Sequence, residues 1–176
     1  IKVNATVREK ALPATTSAKY GCFGVDINPD NLGVAETNAQ GQLIDYWTIP
    51  LPLEGKSTHQ RENVISLAIA QVVEAARNRN KSIIMEHLDF KAKKRALHKN
   101  HDANYARMLS AFAYNTIGQM MKRKAFRWCV AVEFVSAAYT SRLGQLKYAH
   151  KTDTTHEAAA YVIARRGQNF REKLPC

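Results

Sequence analysis

The chain has 176 residues, with 26 Lys and Arg against 15 Asp and Glu, so its formal net charge is +11. A hydrophobic fraction of 45% excludes a disordered chain as the default, and no apolar run approaches the ~20 residues of a transmembrane helix. Three widely spaced cysteines match neither a disulfide framework nor a zinc pattern, which indicates a reducing cell interior. The basic charge indicates a polyanionic partner, and nucleic acid ranks ahead of an anionic membrane surface.

The first 19 residues contain one alternating segment, IKVNATV, followed by the loop-like sequence ALPATTSA. The segment starts abruptly in strand-like sequence. We therefore expect residues 1–19 to be a leading strand and loop at the end of a longer N-terminal region.

Residues 20–52 predict a three-stranded antiparallel meander. Phe23, Val25 and Ile27 alternate with the residues around Asp26, so the acidic side chain lies on the face opposite the apolar ones. Two further strand-like runs follow, separated by the turn sequences NPDN and NAQG.

The remainder of the chain alternates helical and strand-like patterns. Ser57 and Gln60 have the spacing of a capping box at the start of a long helix. The short strand KSIIMEHL contains Glu86, a second helix spans about 103–124, and the strand WCVAVEFV follows. After a predicted loop, AAYTSRLGQLKYAHK, the segment TTHEAAAYVIARRG predicts the last helix. This order predicts an α/β fold with a mixed sheet.

Acidic residues occur at three places where strands or helices begin or end. Asp26 lies in the first meander strand, Glu86 ends a buried strand, and Asp153, His156 and Glu157 cluster at the start of the last helix. If these places converge, they supply oxygen ligands for Mg²⁺, and two ions about 3.5–4 Å apart would clamp the oxygens of a phosphodiester. The alternative is that each acid is an ordinary solvated residue.

Three segments in order carry a family resemblance: GVDINPDNLGVAETNAQGQL, IIMEHLDF and YTSRLGQLKYAHKTDTTHEAAAYVIARRG. Together they resemble the split RuvC nuclease domain of transposon-encoded TnpB proteins and the related type V CRISPR effectors. The resemblance covers residues 20–176, with a basic helical insertion at about 88–127. It implies an RNase H-like fold, a mixed sheet with helices on both faces, and DNA cleavage that depends on one or two Mg²⁺ or Mn²⁺ ions.

The resemblance also implies partners and a location. Full-length relatives act on DNA under the guidance of an RNA, so we expect single-stranded DNA as partner, a guide RNA through a larger parent protein, and no membrane. The expected location is the prokaryotic cytoplasm, in association with the nucleoid. TnpB proteins usually carry a zinc ribbon before the last motif, but this segment contains no Cys, so no zinc is expected.

The resemblance assigns Asp26 to the first catalytic aspartate and Glu86 to the catalytic glutamate, both as metal ligands. The third position departs from the family, in which an aspartate lies in a D-R-D-x-N-A-A run. Alignment on the alanines places His156 there, and RuvC resolvases offer a precedent for a histidine at the start of this helix. Asp153 is the alternative catalytic and metal-binding residue, whereas Glu157 with Thr154 also fits a capping box.

Basic and aromatic side chains near these motifs are candidates for contacts with nucleic acid. Salt-dependent phosphate contacts and stacking on a single strand would use such residues, whereas the alternative is a solvated surface or loop packing. The candidates are Lys91, Lys93, Lys94, Arg95, Lys122, Arg123, Tyr139 and Arg142.

The sequence therefore supports two hypotheses from different classes. The first is a metal-dependent endonuclease domain, and the second is a nucleic-acid-binding module whose cleavage site is degenerate at its third position. A RuvC-type junction resolvase acting as a dimer also fits the fold, but no dimer interface is recognisable and the oligomeric state stays open.

Overall fold

We describe the computed structural model over residues 13–87 and 101–173, with backbone only for 101–113. The leading segment before residue 13 lies outside the described residues. The same is true of four candidate nucleic-acid contacts, which are Lys91, Lys93, Lys94 and Arg95.

Five strands form one mixed sheet in the order β3-β2-β1-β4-β5. β1, β2 and β3 pair antiparallel, whereas β4 runs parallel to β1 and β5 runs parallel to β4. The predicted meander and the later alternation of strands and helices are therefore confirmed. The strands are β1 (Cys22–Ile27), β2 (Asn31–Thr37), β3 (Leu43–Pro50), β4 (Ser82–His87) and β5 (Val132–Ser136).

Four α-helices accompany the sheet in the described part of the chain. None of them combines the length and the apolar composition that crossing a membrane requires. They are α1 (Thr58–Asn78), α2 (His101–Arg127), α3 (Thr140–Leu143) and α4 (Thr155–Gly167).

The loop predicted at residues 137–151 is wrong, because most of this segment is helical. α3 continues into a π-helical turn at Gly144–Tyr148 and a 3₁₀ turn at Ala149–Lys151. Leu143 is 2% exposed, and a Cβ at Gly144 would lie only 2.7 Å from the backbone of α4. Packing against α4, the next helix along the chain, thus favours helical turns over a loop.

The larger hydrophobic core lies between α1, α2 and one face of the sheet. Phe23, Val25 and Leu32 supply the sheet side, and the apolar stripe of α1 around Ile69 packs against it together with Ile117 of α2. The capping box predicted at the start of α1 is present, with Ser57 and Gln60 satisfying each other's backbone N–H groups.

The opposite face of the sheet packs against α4 through small residues. A Cβ at Gly24 would lie 2.0 Å from the carbonyl oxygen of Ala160, and one at Gly33 would lie 2.7 Å from the backbone of His156. Only glycine permits this approach at either position, so the backbone of α4 rests directly on β1 and β2. Helices thus cover both faces, as predicted, and the first turn of α4 lies beside the carboxyl end of β1.

Candidate active site

Asp26 and Glu86 lie side by side at the carboxyl ends of two adjacent parallel strands. Gly24 pairs with Ile84 and Val25 with Met85, so Asp26 and Glu86 are next to one another along β1 and β4. They share a face because they follow their paired neighbours by the same step, and adjacent strands are about 4.8 Å apart. Asp26 is 7% exposed, whereas Glu86 is half-buried.

Asp26 contacts two nitrogen-bearing side chains. The amide Nδ2 of Asn28 donates a hydrogen bond of 2.9 Å to its Oδ2, and Nδ1 of His156 lies 3.2 Å from the same oxygen. The His156 side chain is 43% exposed, so it bridges Asp26 and solvent. The structure thus brings together Asp26 and the histidine that the family resemblance aligned with the third position.

Glu86 accepts a hydrogen bond from the hydroxyl of Thr140, the first residue of α3. Thr140 is 2% exposed, so this contact orients a Glu86 oxygen from the protein interior. Tyr139 and Arg142 in the YTSR segment are among the residues predicted from the sequence, whereas Thr140 is not. The available signal was a hydroxyl residue inside that motif.

The turn that presents Thr140 is fixed to α4. Arg166 donates to the carbonyl oxygens of Ser136 and Ala138, the latter at 3.0 Å. Tyr139 then adopts a left-handed backbone conformation with φ of 62°, which is uncommon for a residue with a side chain. Because such a conformation persists only where its surroundings enforce it, the placement of Thr140 under Glu86 is tightly determined.

Asp153 and Glu157 are directed toward β3 instead. Tyr46 donates a 3.3 Å hydrogen bond to Asp153, and Thr48 donates one of 2.9 Å to Glu157. Glu157 also accepts the backbone N–H of Thr154 in a capping box, as its alternative interpretation predicted. Two strands separate this cluster from β4, so the structure brings His156 to Asp26 and places Asp153 and Glu157 against the edge strand.

A cleft of about 210 Å³ opens beside Glu86, between α2 and the ends of β4 and β5. Burial, followed by the nearby carboxylates of Asp26, Glu86 and Asp30, raises the pKa of Tyr114 in its wall to about 12. This phenol therefore stays protonated at neutral pH and can donate a hydrogen bond. The cleft is lined by Ile27, Met85, Glu86, His87, Tyr114, Asn115, Gly118, Gln119, Lys122 and Phe134.

The candidate nucleic-acid contacts among the described residues lie at the surface. Lys122 lines the cleft, and the neighbouring Arg123 is exposed beside a second hollow on α2. Tyr139 is 66% exposed and Arg142 is exposed as well, on the turn that carries Thr140. Lys122 thus lies in the cleft beside Glu86, and Tyr139 and Arg142 lie on the turn next to it, whereas Arg123 lines a separate hollow between α1 and α2.

The donor set suits a hard divalent cation. Asp26 and Glu86 offer carboxylate oxygens on one face of the sheet, and Mg²⁺ and Mn²⁺ take one or two carboxylates while keeping several waters. Within residues 13–87 and 101–173, no group of three His, Cys, Asp or Glu side chains is arranged to hold a metal ion. Among the described residues, Asp26 and Glu86 therefore offer two carboxylates at this edge, and water or substrate oxygens would supply the other ligands of a bound ion.

No protein-family model matches the chain, and no curated protein matches it. Among solved structures, Thermus thermophilus RuvC in complex with a Holliday junction substrate is similar over 82% of this chain and 89% of that chain, with a TM-score of 0.57 and 16% sequence identity. The fold is RuvC-like and RNase H-like. A second Thermus thermophilus RuvC structure covers 82% of this chain and 90% of that chain, with a TM-score of 0.49 and 16% identity. The predicted fold class is confirmed.

Proposed function

We propose that this chain is a metal-dependent nuclease domain that hydrolyses DNA phosphodiesters. The observation that carries the proposal is the pairing of Asp26 and Glu86 at the carboxyl ends of adjacent parallel strands in a RuvC-like fold. The net charge of +11 favours a polyanionic substrate. An acidic site in so basic a chain is explained if a bound cation neutralises the carboxylates while Lys and Arg side chains bind the phosphates of the substrate.

Asp26 and Glu86 would hold one or two Mg²⁺ or Mn²⁺ ions, with Thr140 orienting the glutamate. A bound ion supplies Lewis-acid stabilisation of the charge that develops on the phosphate oxygens and lowers the pKa of water. His156 acts as the general base that accepts a proton from the attacking water. When its Nδ1–H donates to Asp26 Oδ2, 3.2 Å away, its Nε2 is an acceptor for a proton of the attacking water.

Single-stranded DNA is the substrate that the exposed residues favour. Tyr139 offers an aromatic face and Arg142 a cation on the turn next to Glu86, and a single strand is held by stacking and by phosphate contacts. The resemblance to TnpB proteins extends the proposal to an RNA-guided parent protein in the prokaryotic cytoplasm. The solved RuvC of similar fold is bound to a Holliday junction substrate, so a four-way junction is the second DNA to test.

A nucleic-acid-binding module without cleavage activity is the second candidate. It is favoured by the placement of Asp153 and Glu157 against β3, while His156 is the residue that contacts Asp26. A neutral imidazole is a poorer ligand for Mg²⁺ than a carboxylate. Binding would then persist without turnover.

Cleavage of labelled DNA distinguishes the two candidates. Wild type is incubated with single-stranded DNA or a four-way junction in Mn²⁺, in Mg²⁺ and in EDTA, next to Asp26→Asn and Glu86→Gln. The matched control is Asp45→Asn, since Asp45 is an exposed acid on the outer strand β3. We expect metal-dependent cleavage by wild type and the control but not by the two site variants. If the DNA stays uncleaved in every reaction, the nuclease proposal is wrong.

The third position is resolved by the same assay with His156→Ala and Asp153→Asn. The proposal expects a large loss of rate for His156→Ala and a small one for Asp153→Asn, because only the former removes the Asp26 contact. A larger loss of cleavage rate for Asp153→Asn than for His156→Ala would show that Asp153 and not His156 is the third site residue.

A further inference from the structure

One face of α2 forms a wall of the cleft beside Glu86. Asn115, Gly118, Gln119 and Lys122 line the cleft and recur at the spacing i, i+3, i+4 and i+7, which places them on one stripe of the helix. The opposite wall comes from the ends of β4 and β5. Asn115, Gln119 and Lys122 are exposed, so this face of α2 is accessible from solvent.

Gly118 is the residue of this stripe that packing does not explain. Glycine in a helix interior is less stable than alanine, and Gly118 lies well inside the 27 residues of α2. A Cβ at Gly118 would meet no atom within 4 Å outside its own helix among the described residues. Gly24 and Gly33 differ, because a Cβ there would collide with α4. The absent side chain at position 118 therefore keeps space open in the cleft.

The walls present the chemistry that a nucleotide needs. Asn115 and Gln119 carry exposed amides, which offer both donors and acceptors to the edge of a base. Phe134 provides an aromatic surface against His87, with ring centroids 6.2 Å apart. The ammonium of Lys122 lies over the Phe134 ring, 4.5 Å from its centroid, and is the cation of this cleft wall.

We propose that this cleft is a base pocket that binds one unpaired base of single-stranded DNA next to the Asp26–Glu86 pair. This inference deepens the proposed function and rests on it for the position of the scissile phosphate. The Lys122 ammonium moves from the Phe134 ring to the adjoining phosphate, the base stacks on the ring in its place, and the two amides contact the edge of the base. Because Gly118 has no side chain, the base can occupy the space beside the helix at this position.

The test uses two substitutions of one residue. Gly118→Ala and Gly118→Leu both replace a helix-interior glycine with a better helix former, so both should melt at or above the wild-type temperature. Only leucine projects far enough to fill the cleft. Binding is measured by fluorescence anisotropy in EDTA, so that no cleavage occurs, with a single-stranded oligonucleotide and with a strand of equal length made of abasic sites.

Wild type and Gly118→Ala should bind the strand with bases roughly 10-fold more tightly than the abasic strand, the scale of one stacked base. Gly118→Leu should bind both strands about equally. A ratio near one in wild type, or an unchanged ratio in Gly118→Leu, overturns the base pocket. If Gly118→Leu fails to fold, Gln119→Ala at an exposed helix position supplies the second variant, and an unchanged ratio there is the overturning result.

Failure of the base pocket and failure of the proposed function give different results. If wild type cleaves DNA in a metal-dependent reaction but binds both strands with equal affinity, the base-pocket proposal is wrong and the nuclease proposal stands. If Gly118→Leu abolishes the preference for the strand with bases and no protein cleaves DNA, the nuclease proposal is wrong and the base-pocket proposal stands.

Discussion

Buried acidic side chains lie at both ends of the central strands, but their partners differ. At the amino end of β1 and β4, Glu36 is 3% exposed and receives Lys81 Nζ at 2.6 Å, while its other oxygen binds Arg79. At the carboxyl end, Asp26 and Glu86 contact an amide, an imidazole and a hydroxyl. We call the first group the amino-end cluster and the second the carboxyl-end pair.

The difference shows how one residue type serves two purposes. Burying a charge is costly unless it is compensated, and the amino-end cluster compensates Glu36 with cations of the chain itself. Burial and then the neighbouring Arg79 lower the pKa of Lys81, which shows how crowded that cluster is. At the carboxyl-end pair the contacts described above come from an amide, an imidazole and a hydroxyl, and under the proposed function a divalent cation also binds these carboxylates.

The largest expected effect is on catalysis at the carboxyl-end pair. Asp26→Asn and Glu86→Gln keep the shape of each side chain but remove its charge, so cleavage should fall by about 10³-fold or more. Neutral side chains are less costly to bury than charged ones, so both variants should melt no lower than wild type. Cleavage kinetics and thermal melting check the two statements. A loss of activity that occurs only together with unfolding would contradict the comparison.

The amino-end cluster should respond in the opposite way. Lys81→Met removes one cation from buried Glu36, which should cost about 3 kcal/mol of folding free energy without altering the cleavage rate of the folded protein. Urea denaturation measures the cost. The double variant Lys81→Met/Glu36→Gln is the control, since removal of both charges should recover part of the loss. A slower cleavage rate in the folded Lys81→Met protein would contradict the view that the amino-end cluster contributes to stability and not to catalysis.

A second buried carboxylate that the chain compensates with its own cations lies near the end of the described residues, and its effect on stability depends on pH. Burial alone would raise the pKa of Glu172, but hydrogen bonds from Arg165, Tyr148 and Lys147 outweigh it and lower the pKa to about 2. The Glu172 side chain is 5% exposed. The fold thus favours the charged form, which stabilises the protein above the ordinary pKa of 4.5, and this stability is lost as the pH falls toward 2.

Glu172→Gln should therefore cost about 2 kcal/mol at pH 7 and nearly nothing at pH 2. Urea midpoints of wild type and variant, measured across that range, should converge as the pH falls. A constant gap between the two proteins would show that the carboxylate charge is not what stabilises the cluster.

The smallest expected effect concerns the orientation of Glu86. Thr140→Val replaces the buried hydroxyl by a methyl group of similar shape. If Glu86 binds metal as proposed, loss of the hydrogen bond that orients it should lower kcat about 10-fold while KM changes little. Thr140→Ser keeps the hydroxyl and should restore most of kcat. Equal kcat values for the valine and serine variants would show that the hydrogen bond has no role in catalysis.

Local patterns were sufficient for the parts of the fold that depend on near neighbours. The period-two alternation placed Asp26 opposite Phe23 and Val25 because the side chains of a strand alternate between faces. The capping boxes at Ser57 and Thr154 were also readable, since each joins residues three apart. The adjacency of β1 and β4 is a long-range pairing, and only the family resemblance anticipated that Asp26 and Glu86 would meet.

Contacts between distant segments decided what the sequence left open. Asp153, His156 and Glu157 lie within five residues, and their order alone does not show which of them reaches Asp26. The hydroxyls of Tyr46 and Thr48 on β3 hold two of them, and His156 is the one beside Asp26. The helical turns after Tyr139 escaped prediction because they depend on packing against the following helix α4, a tertiary contact that side-chain periodicity does not show.

The direct contact of α4 with the sheet also has a consequence for the order of folding. Asp26 and His156 are 130 residues apart in the chain, and contacts of such separation carry a large loop-closure cost and slow folding. The meander forms from near neighbours, whereas the imidazole reaches Asp26 only when α4 docks onto Gly24 and Gly33. A chain that has folded only its first three strands therefore already holds Asp26 and Asn28 in place but lacks His156 and Glu86, the neighbour of Asp26 on β4.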